Sequence, residues 1–395
     1  MPMDSSHKIV TVIVISNLEF GGAQRQIVEL MNHIDRQKFD LHIVSLSPYI
    51  PLGEFINHAD TNLHIIEKKY KFDLSVAWRL AKLLRHLKAD IVHGYLFDAE
   101  IAARLAGLLA RTRAIGNCER NADYKLKKIQ SATYWLTKGL LDFCIGNSQA
   151  GCEFNQRALG NPKDMYYTIH NGVDTNRFQP RDSAQTRRDL GVDDDTFLIG
   201  MFGSFKEQKN HPMLFKAMPL ILKAHPNTKL LLVGDQLAGG MHGSDEYKVN
   251  TLAMAKNLGL EPHCIFVGNR GDVEVLYPAC DLTVLPSLFE GTPNVALESM
   301  ASGVPIVATG VADNAVIIKD GSTGYIVTLH DHQQLADKVN LLLQDSPLRL
   351  TMGKQARQHM LDEYSCQRLA EKTASVYTDV LGHTKGAAAK LKSFQ

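Results

Sequence analysis

Short apolar runs rich in β-branched residues alternate with amphipathic segments along most of the chain. The first run, KIVTVIVIS, is typical of a strand buried on both faces, and Ile27, Leu30, Met31 and Ile34 follow it at helical spacing. Strands and helices that alternate in this way favour a parallel sheet covered by helices on both faces. The first part of the chain is therefore predicted to form a doubly wound α/β domain.

A polar stretch near the middle of the chain interrupts the alternation. It has no apolar periodicity before Phe197, so we place the domain boundary between Phe178 and Arg181. The alternation starts again with FLIGMFGS, and the segment from about His332 predicts helices only. This pattern predicts a second doubly wound domain followed by a helical end.

The predicted architecture is α/β, with two tandem Rossmann-like domains that face a cleft. The first domain is predicted at residues 1–178 and the second at residues 179–362. Residues 363–395 are predicted to form a C-terminal helix and tail that cross back to the first domain. Doubly wound domains bind their ligands in crevices at the carboxyl ends of the strands. The cleft is therefore the expected position of a functional site.

The composition excludes several classes of function. The chain has 395 residues, a formal net charge of +1 and six cysteines without a CxxC pair. This charge argues against nucleic acid as a partner, and the scattered cysteines argue against a disulfide framework or a zinc site. The first apolar run is shorter than a secretory signal or a membrane span requires. We expect a cytoplasmic protein that at most lies on a membrane surface.

Gly21 and Gly22 follow the first strand and begin a helix in the segment SNLEFGGAQRQIVEL. Glycine lets the backbone approach a ligand, and a helix N-terminus presents N–H groups to an anion. A tight strand-to-helix turn would use the same residues. The spacing differs from GxGxxG, so a nicotinamide cofactor is not predicted.

A second glycine-containing loop follows the strand FLIGMF and carries Ser204, Lys206 and Lys209 in front of a helix. A lysine at this position complements a bound diphosphate together with the helix dipole. Loop lysines are usually solvated, and we interpret Lys206 in that way.

The segment LPSLFEGTPNVALESMASGVPIVAT carries the strongest signal. Glu290 lies in a loop after a predicted strand, and Glu298 lies eight positions later on a helix that starts near Pro293. Because carboxylates repel a negatively charged diphosphate, the two acids are predicted to accept hydrogen bonds from sugar and ribose hydroxyls instead. The structural alternative is that one acid caps the helix and the other is a solvated glutamate. Backbone N–H groups at the helix N-terminus are predicted to bind a diphosphate. These N–H groups belong to Gly291, Thr292, Asn294 and Val295.

Taken together, these motifs resemble those of the family 4 glycosyltransferases, which are retaining enzymes of the GT-B fold. The resemblance covers nearly the whole chain and rests on GGAQRQ, ADIVH, NSQA, IHNGVDTNRF, GSF with QKN, and the Glu290-x7-Glu298 motif between PS and GVP. It implies transfer of a hexose or N-acetylhexosamine from a nucleotide diphosphate-sugar, with UDP favoured over GDP. The implied acceptor is a glycan or lipid-linked glycan of cell-surface polysaccharide synthesis, and no cofactor is implied.

The resemblance also implies roles for single residues. Glu298 resembles the acid that binds the ribose hydroxyls, Glu290 the acid near the donor sugar, and Lys209 the lysine that neutralises the diphosphate. Ser204 stands where the family usually has arginine, which removes one charged phosphate contact. The turn that ends at Arg270 is implied to contact the base through its backbone.

Three residues of the first domain are candidates for the acceptor side. His93 ends a strand at a place where the family often has a histidine near the acceptor, and Tyr95 occupies the alternative position two residues later. A lone histidine at a strand end is more often structural, but the motif favours a catalytic role for His93. Arg120 follows the next strand and could bind the donor phosphate or the acceptor.

The expected chemistry is transfer with retention of configuration and without a metal. The aspartates at 193–195 lie in a polar loop and are interpreted as solvated surface rather than metal ligands. Lys209, the amides at Asn294–Val295 and those at Gly21–Gly22 would offset the charge of the leaving group. We identify no protein nucleophile, which favours displacement on the same face of the sugar.

A basic and aromatic segment, YKLKKIQSATYWLTK at residues 124–138, could dock on anionic lipid of the inner membrane leaflet. An ordinary amphipathic helix that packs its apolar stripe on the sheet is the alternative. Two other functions also remain open. They are a non-catalytic sugar-nucleotide-binding subunit, which the Ser204 substitution would allow, and a sugar-nucleotide epimerase or phosphorylase on the same scaffold.

Overall fold

The computed structural model contains two parallel sheets, one in each of two units of the chain. It describes residues 8–70, 73–120, 128–236 and 243–383. Unit 1 consists of Met1–Gly172 and Cys366–Gln395, and unit 2 of Val173–Ser365. None of the helices within the described ranges is long and apolar enough to cross a membrane.

The sheet of unit 1 has seven strands in the order β3-β2-β1-β4-β5-β6-β7, and all of its pairings are parallel. The strands are β1 Ile9–Ile15, β2 Phe39–Ser45, β3 Leu63–Ile65, β4 Ile91–Tyr95, β5 Ala114–Glu119, β6 Phe143–Gly146 and β7 Tyr166–Thr168. The connecting helices are α1 Gly22–His33, α2 Ala59–Asn62, α3 Ser75–Leu87, α4 Phe97–Ala110, α5 Lys128–Thr137 and α6 Gln149–Leu159.

Strand β1 is buried along its whole length, as its continuous run of β-branched residues predicts. Its alternate side chains belong to two different cores, because successive residues of a strand point to opposite faces. Ile13 and Ile15 pack in the core that contains α1, whereas Val12 and Val14 pack in the core that contains α3 and α4. The sheet is therefore covered on both faces, as expected for a doubly wound domain.

Unit 2 repeats this topology with six parallel strands in the order β10-β9-β8-β11-β12-β13. The strands are β8 Phe197–Phe202, β9 Thr228–Val233, β10 Cys264–Gly268, β11 Leu282–Leu285, β12 Ile306–Thr309 and β13 Gly324–Val327. The helices are α7 Ala184–Asp189, α8 His211–Ala224, α9 Ser244–Asn257, α10 Val273–Leu276, α11 Asn294–Ala301, α12 Asn314–Ile317, α13 His332–Gln344 and α14 Ser346–Glu363.

The last described helix, α15 Cys366–His383, belongs to unit 1. Its apolar side chains, Tyr377 among them, pack in the same core as α1. The units divide between Gly172 and Val173, a few residues before the boundary that the sequence predicts. Val173 and Phe178 explain this position, because both are buried in the core of unit 2.

Candidate active site

The carboxyl ends of β8, β9 and β10 in unit 2 are joined by backbone hydrogen bonds. The Gly203 amide donates to the Val233 carbonyl at 2.8 Å, and the Gly234 amide donates to the Gly268 carbonyl at 2.8 Å. A Cβ on Gly234 would lie 2.3 Å from the Gly203 carbonyl oxygen, and Gly234 has a φ of 131°. Only glycine therefore allows these loops to pack side by side.

Lys209 and Glu290 form a buried ion pair at this end of the sheet. The Lys209 ammonium donates to Glu290 Oε1 at 2.6 Å, and the Ser287 hydroxyl donates to the same oxygen at 2.7 Å. Both charged side chains are at least about nine-tenths buried. The structure therefore brings together two residues to which the sequence assigns different parts of the donor.

Gln208 connects the loop after β8 to the loop after β11. Its side-chain amide donates to the Phe289 carbonyl at 2.8 Å and to Glu290 Oε2 at 3.4 Å, and its backbone carbonyl accepts from the Leu288 amide at 2.8 Å. Gln208 lies in the motif QKN and Ser287 in the motif PS, but neither residue has a role predicted from the sequence. These residues hold the Glu290 carboxylate in place.

Lys206 is half-buried in the same loop as Lys209. Burial lowers the pKa of Lys206 from its ordinary value, and the positive charge of Lys209 adds to this effect. Ser204, at the position where the family usually has arginine, is also half-buried. Lys206 is thus less solvated than the sequence predicts.

The loop between Glu290 and Glu298 leads into α11, which begins at Asn294. Pro293 precedes this helix and provides no side-chain cap, and Thr292 is buried. The first amides of a helix have no intrahelical acceptor, and the helix dipole favours an anion at this end. The geometry of residues 291–295 is consistent with the predicted diphosphate site.

Glu298 is oriented by a tyrosine that the sequence analysis missed. The Tyr277 hydroxyl donates to Glu298 Oε2 at 2.8 Å, and its ring stacks on Phe202 at the end of β8, with centroids 3.9 Å apart. Burial raises the pKa of Tyr277 far above its ordinary value, and the charge of Glu298 raises it further. Tyr277 is therefore a permanent hydrogen-bond donor to the carboxylate.

Arg270 lies in the loop after β10, at the same end of the sheet. Its guanidinium is exposed and donates from Nε and Nη2 to Asp272 at 2.8 and 2.6 Å. The predicted contact of this turn is made by the backbone, and Gly268 at its start has a φ of 64°. The aspartates at 193–195 are exposed, in line with their interpretation as surface residues.

In unit 1, Gly21 precedes α1 as its N-cap, and Gly22 is the first helical residue. The most specific contact of this motif is made by Gln26. Its side-chain amide donates to the Gly172 carbonyl at 2.9 Å, and its carbonyl oxygen accepts from the Gly172 amide at 2.7 Å. Two motifs that lie far apart in the sequence, GGAQRQ and HNGVD, thus contact each other directly.

His93 is the central residue of β4 rather than its last one, because the strand continues to Tyr95. It is fully buried, and both of its ring nitrogens are bound. Nε2 lies 3.0 Å from the Asn117 carbonyl and must donate to it, so Nδ1 accepts from the Tyr377 hydroxyl at 2.8 Å. Burial lowers the pKa of His93 to about 3. The geometry supports a packing role that joins β4 to α15, and the catalytic role of His93 stays a prediction.

Tyr95 and Arg120 form a second buried cluster next to His93. The Arg120 guanidinium lies over the Tyr95 ring, 5.1 Å from its centroid, and donates to Asn171 Oδ1 at 2.7 Å and to Cys118 Sγ at 3.0 Å. Tyr95 is almost completely buried. In this arrangement Arg120 fixes the HNGVD segment, and an acceptor contact by Tyr95 or Arg120 stays a prediction.

Comparison with known families gives two adjoining matches. The model described as Glycosyltransferase Family 4 matches residues 20–177, and the model described as Glycosyl transferases group 1 matches residues 182–359. The two models together account for most of the chain, and they meet within the polar stretch near its middle.

Three curated relatives illustrate what the chain is similar to. It is 30% identical over 223 residues to the D-inositol 3-phosphate glycosyltransferase of Corynebacterium aurimucosum, a match that covers 55% of this chain and 52% of the relative. It is 24% identical to the N-acetyl-alpha-D-glucosaminyl L-malate synthase of Bacillus anthracis, with 92% of this chain and 96% of the relative covered. It is 23% identical to the UDP-Gal:alpha-D-GlcNAc-diphosphoundecaprenol alpha-1,3-galactosyltransferase of Escherichia coli, with 96% and 99% covered.

Solved structures share the fold. Anabaena Alr3699/HepE in complex with UDP superposes with a TM-score of 0.81 at 20% identity, covering 93% of this chain and 99% of that one. A glycosyltransferase from Rickettsia africae superposes with a TM-score of 0.82 at 18% identity, covering 96% and 100%. These likenesses confirm the predicted fold class.

Proposed function

Since the chain belongs to the family 4 glycosyltransferases of the GT-B fold, we propose that it transfers a hexose or N-acetylhexosamine from a UDP-sugar to a glycan or lipid-linked glycan. Names of full-length relatives support this choice. One relative is named for UDP-galactose and a diphosphoundecaprenol-linked acceptor, and another for N-acetylglucosamine. The role that fits these substrates is the synthesis of cell-surface polysaccharide, such as lipopolysaccharide.

The observation that carries the proposal is the arrangement around Glu290. The buried ion pair of Lys209 and Glu290 lies at the carboxyl ends of β8 and β11, and helix α11 begins four residues after Glu290. A nucleotide diphosphate-sugar has the complementary groups, since its diphosphate suits Lys209 and the first amides of α11, and its sugar hydroxyls suit Glu290. Glu298, oriented by Tyr277, accepts from the ribose hydroxyls.

The transfer proceeds with retention of configuration and without a divalent metal. Lys209 and the amides of Asn294 and Val295 offset the charge that develops on the leaving diphosphate. The acceptor attacks the same face of the sugar that the diphosphate leaves.

The protein works in the cytoplasm, at the inner face of the membrane. Helix α5 supports contact with the membrane because Tyr134 is its one buried residue. Ile129, Trp135 and Leu136 are exposed, and Lys138 lies 5.8 Å from the centroid of the Trp135 ring. Exposed apolar side chains next to lysines are typical of helices that lie on anionic membranes; residues 124–127 of the predicted segment lie outside the described part of the chain.

The test of the proposed function uses the full chain with a panel of UDP-, GDP- and ADP-sugars. Thermal unfolding is recorded with each nucleotide sugar, and the best stabiliser is then incubated with enzyme while nucleotide release is followed. We expect stabilisation by a UDP-sugar and slow release of UDP, accelerated by glycan acceptors. Stabilisation without any release would favour the non-catalytic binding subunit, and release of an isomerised sugar would favour an epimerase.

A further inference from the structure

A cavity of about 450 Å³ lies in unit 1 at the carboxyl ends of β2, β3 and β4. Leu46 directly follows β2, Lys68 lies three residues after β3, and Phe97 begins α4 two residues after β4. Doubly wound domains bind their ligands at this edge of the sheet. The volume lies within the range of small-molecule sites, so the position and size both suit a ligand.

The walls of the cavity are mainly apolar. They come from α3, α4 and α5, whose contributions include Val76, Ala77, Ile101, Leu105 and Ile129. Ile101 and Leu105 are one turn apart on α4 and are only half-buried. The cavity therefore offers contact with hydrocarbon, and a ligand that filled it would bury apolar surface on both sides.

The polar side chains around the cavity already have partners within the protein. Lys68 Nζ donates to Asp98 Oδ2 at 2.6 Å, and Asp73 accepts from Arg79 at 2.9 Å. The Thr133 hydroxyl donates to the carbonyl one turn earlier in α5 at 2.7 Å. A polar ligand would have to break these contacts, so an apolar ligand fits the cavity better.

Exposed apolar side chains lie on and next to two of the helices that form the walls. Leu74 and Ile129 both line the cavity and remain 76% and 63% exposed, and Trp78 and Trp135 on α3 and α5 are each 62% exposed. An exposed patch of this kind marks an interaction site. Tyr134 holds the α5 wall in place, because its hydroxyl donates to the buried carboxylate of Glu100 at 2.6 Å.

We propose that this cavity binds the isoprenoid chain of a lipid-linked acceptor. The inference rests on the proposed function, which supplies a lipid-linked glycan as acceptor, and it takes the isoprenoid from the diphosphoundecaprenol for which one relative is named. It adds the place where the hydrocarbon of that acceptor is held. The exposed side chains of Leu74 and Ile129, which line the cavity, let a chain enter from a membrane surface while the glycan stays at the edge of the sheet.

The test is calorimetric titration of the full chain with geranyl, farnesyl and geranylgeranyl phosphate, and with inorganic phosphate as the probe without a chain. We expect saturable binding at one site that tightens about tenfold or more for each added isoprenyl unit until the cavity is full. Ile101→Trp and Thr133→Trp fill the cavity from α4 and α5, and each should weaken geranylgeranyl phosphate at least about tenfold. Leu109→Trp is the matched control, because Leu109 is exposed near the end of α4 and does not line the cavity.

Affinity that does not rise with chain length would overturn the proposal. So would filled variants that bind as tightly as Leu109→Trp, or palmitate that binds wild type as tightly as geranylgeranyl phosphate. UDP-sugar hydrolysis by the same proteins separates this outcome from a failure of the proposed function. Hydrolysis should be unchanged in all three variants. If wild type does not hydrolyse the UDP-sugar, the proposed transferase function is rejected, and the lipid titration still decides whether the cavity binds an isoprenoid chain.

Discussion

Lys209 Nζ lies 2.6 Å from Glu290 Oε1, although 81 positions separate the two residues in the sequence. The pair links two contacts that the motif assigns to different parts of a donor. A diphosphate that attracts Lys209 leaves Glu290 with less compensation for its charge, and sugar hydroxyls that donate to Glu290 would replace what is lost. We therefore expect binding of the diphosphate and binding of the sugar to be coupled through this pair.

Lys209→Met should lower kcat about 100-fold or more, because it removes a positive charge next to the leaving diphosphate. It should also lower the free energy of unfolding of unit 2 by about 3 kcal/mol, since Glu290 would stay buried without its partner. Steady-state kinetics and urea unfolding measure the two effects. Lys206→Met, in the same loop, is the control and should change kcat less than about threefold; equal losses in both variants would contradict a specific role for Lys209.

Glu298→Gln should raise the KM for the donor about 10-fold or more, because a charged acceptor of ribose hydroxyls is lost. Tyr277→Phe removes only the 2.8 Å hydrogen bond that orients this carboxylate. It should raise the same KM about threefold and leave kcat unchanged, as expected for a positioning residue. Kinetics with the UDP-sugar check both values, and Glu246→Gln at an exposed position of α9 should match wild type. A fall in kcat without a change in KM for Glu298→Gln would contradict the ribose assignment.

His93 should make the stability of unit 1 depend on pH. Its pKa of about 3 in the folded state lies below the ordinary value of 6.5. Between these two pH values His93 is therefore neutral in the folded state and protonated in the unfolded state. The contribution is complete above about pH 6.5 and is lost as the pH falls toward 3, at up to about 1.4 kcal/mol per pH unit. In His93→Gln the part of the slope that His93 contributes should be lost, while the contributions of other groups in unit 1, such as His64 and Glu100, should remain.

Urea unfolding at several pH values between about 7 and 5 measures this slope. The two tryptophans of the chain, Trp78 and Trp135, both belong to unit 1, so their fluorescence follows this unit. The matched control is His211→Gln in unit 2, since the pKa of His211 is also lowered to about 3 by burial. The control should keep the pH slope of wild type in the tryptophan signal, and a slope in His93→Gln equal to that of wild type would contradict the assignment.

The regular elements could be predicted from the sequence to a large extent, because long apolar runs and helical spacing are local signals. The edge strands β3 and β13 are not predicted, and their shortness alone does not explain this because β7 and β11 are equally short. The motif predicts Glu290, Glu298 and Lys209 as site residues, and this assignment stays a prediction.

The partners of these residues could not be predicted, because they depend on tertiary contacts. Tyr277 meets Glu298 only when its ring stacks on the end of β8. The burial of His93 depends on Tyr377, which lies 284 positions later in the chain. A strand-end histidine looks the same in the sequence whether a later helix covers it or leaves it accessible.

Chelation should leave the transfer rate unchanged if Lys209 and the amides of α11 offset the charge of the leaving diphosphate by themselves. The measurement is UDP release from the donor identified in the nucleotide-sugar panel, with and without excess EDTA. Added Mg²⁺ or Mn²⁺ should change the rate less than about twofold. A rate that falls to background in EDTA and returns with either metal would reject the metal-free scheme.

Exposed apolar residues on α5 should bind the protein to anionic membranes. Trp135 and Leu136 are 62% and 71% exposed, and lysines begin and follow the helix. Co-sedimentation with phosphatidylglycerol vesicles at low salt should therefore be strong for wild type, and at least about tenfold weaker for Trp135→Glu with Leu136→Glu, because carboxylates at the interface are repelled and poorly buried. Leu350→Glu, at a 62% exposed position of α14 in unit 2, provides the control and should bind like wild type. If wild type stays in solution at low salt, α5 is not a membrane-binding helix, and its exposed side chains serve another contact.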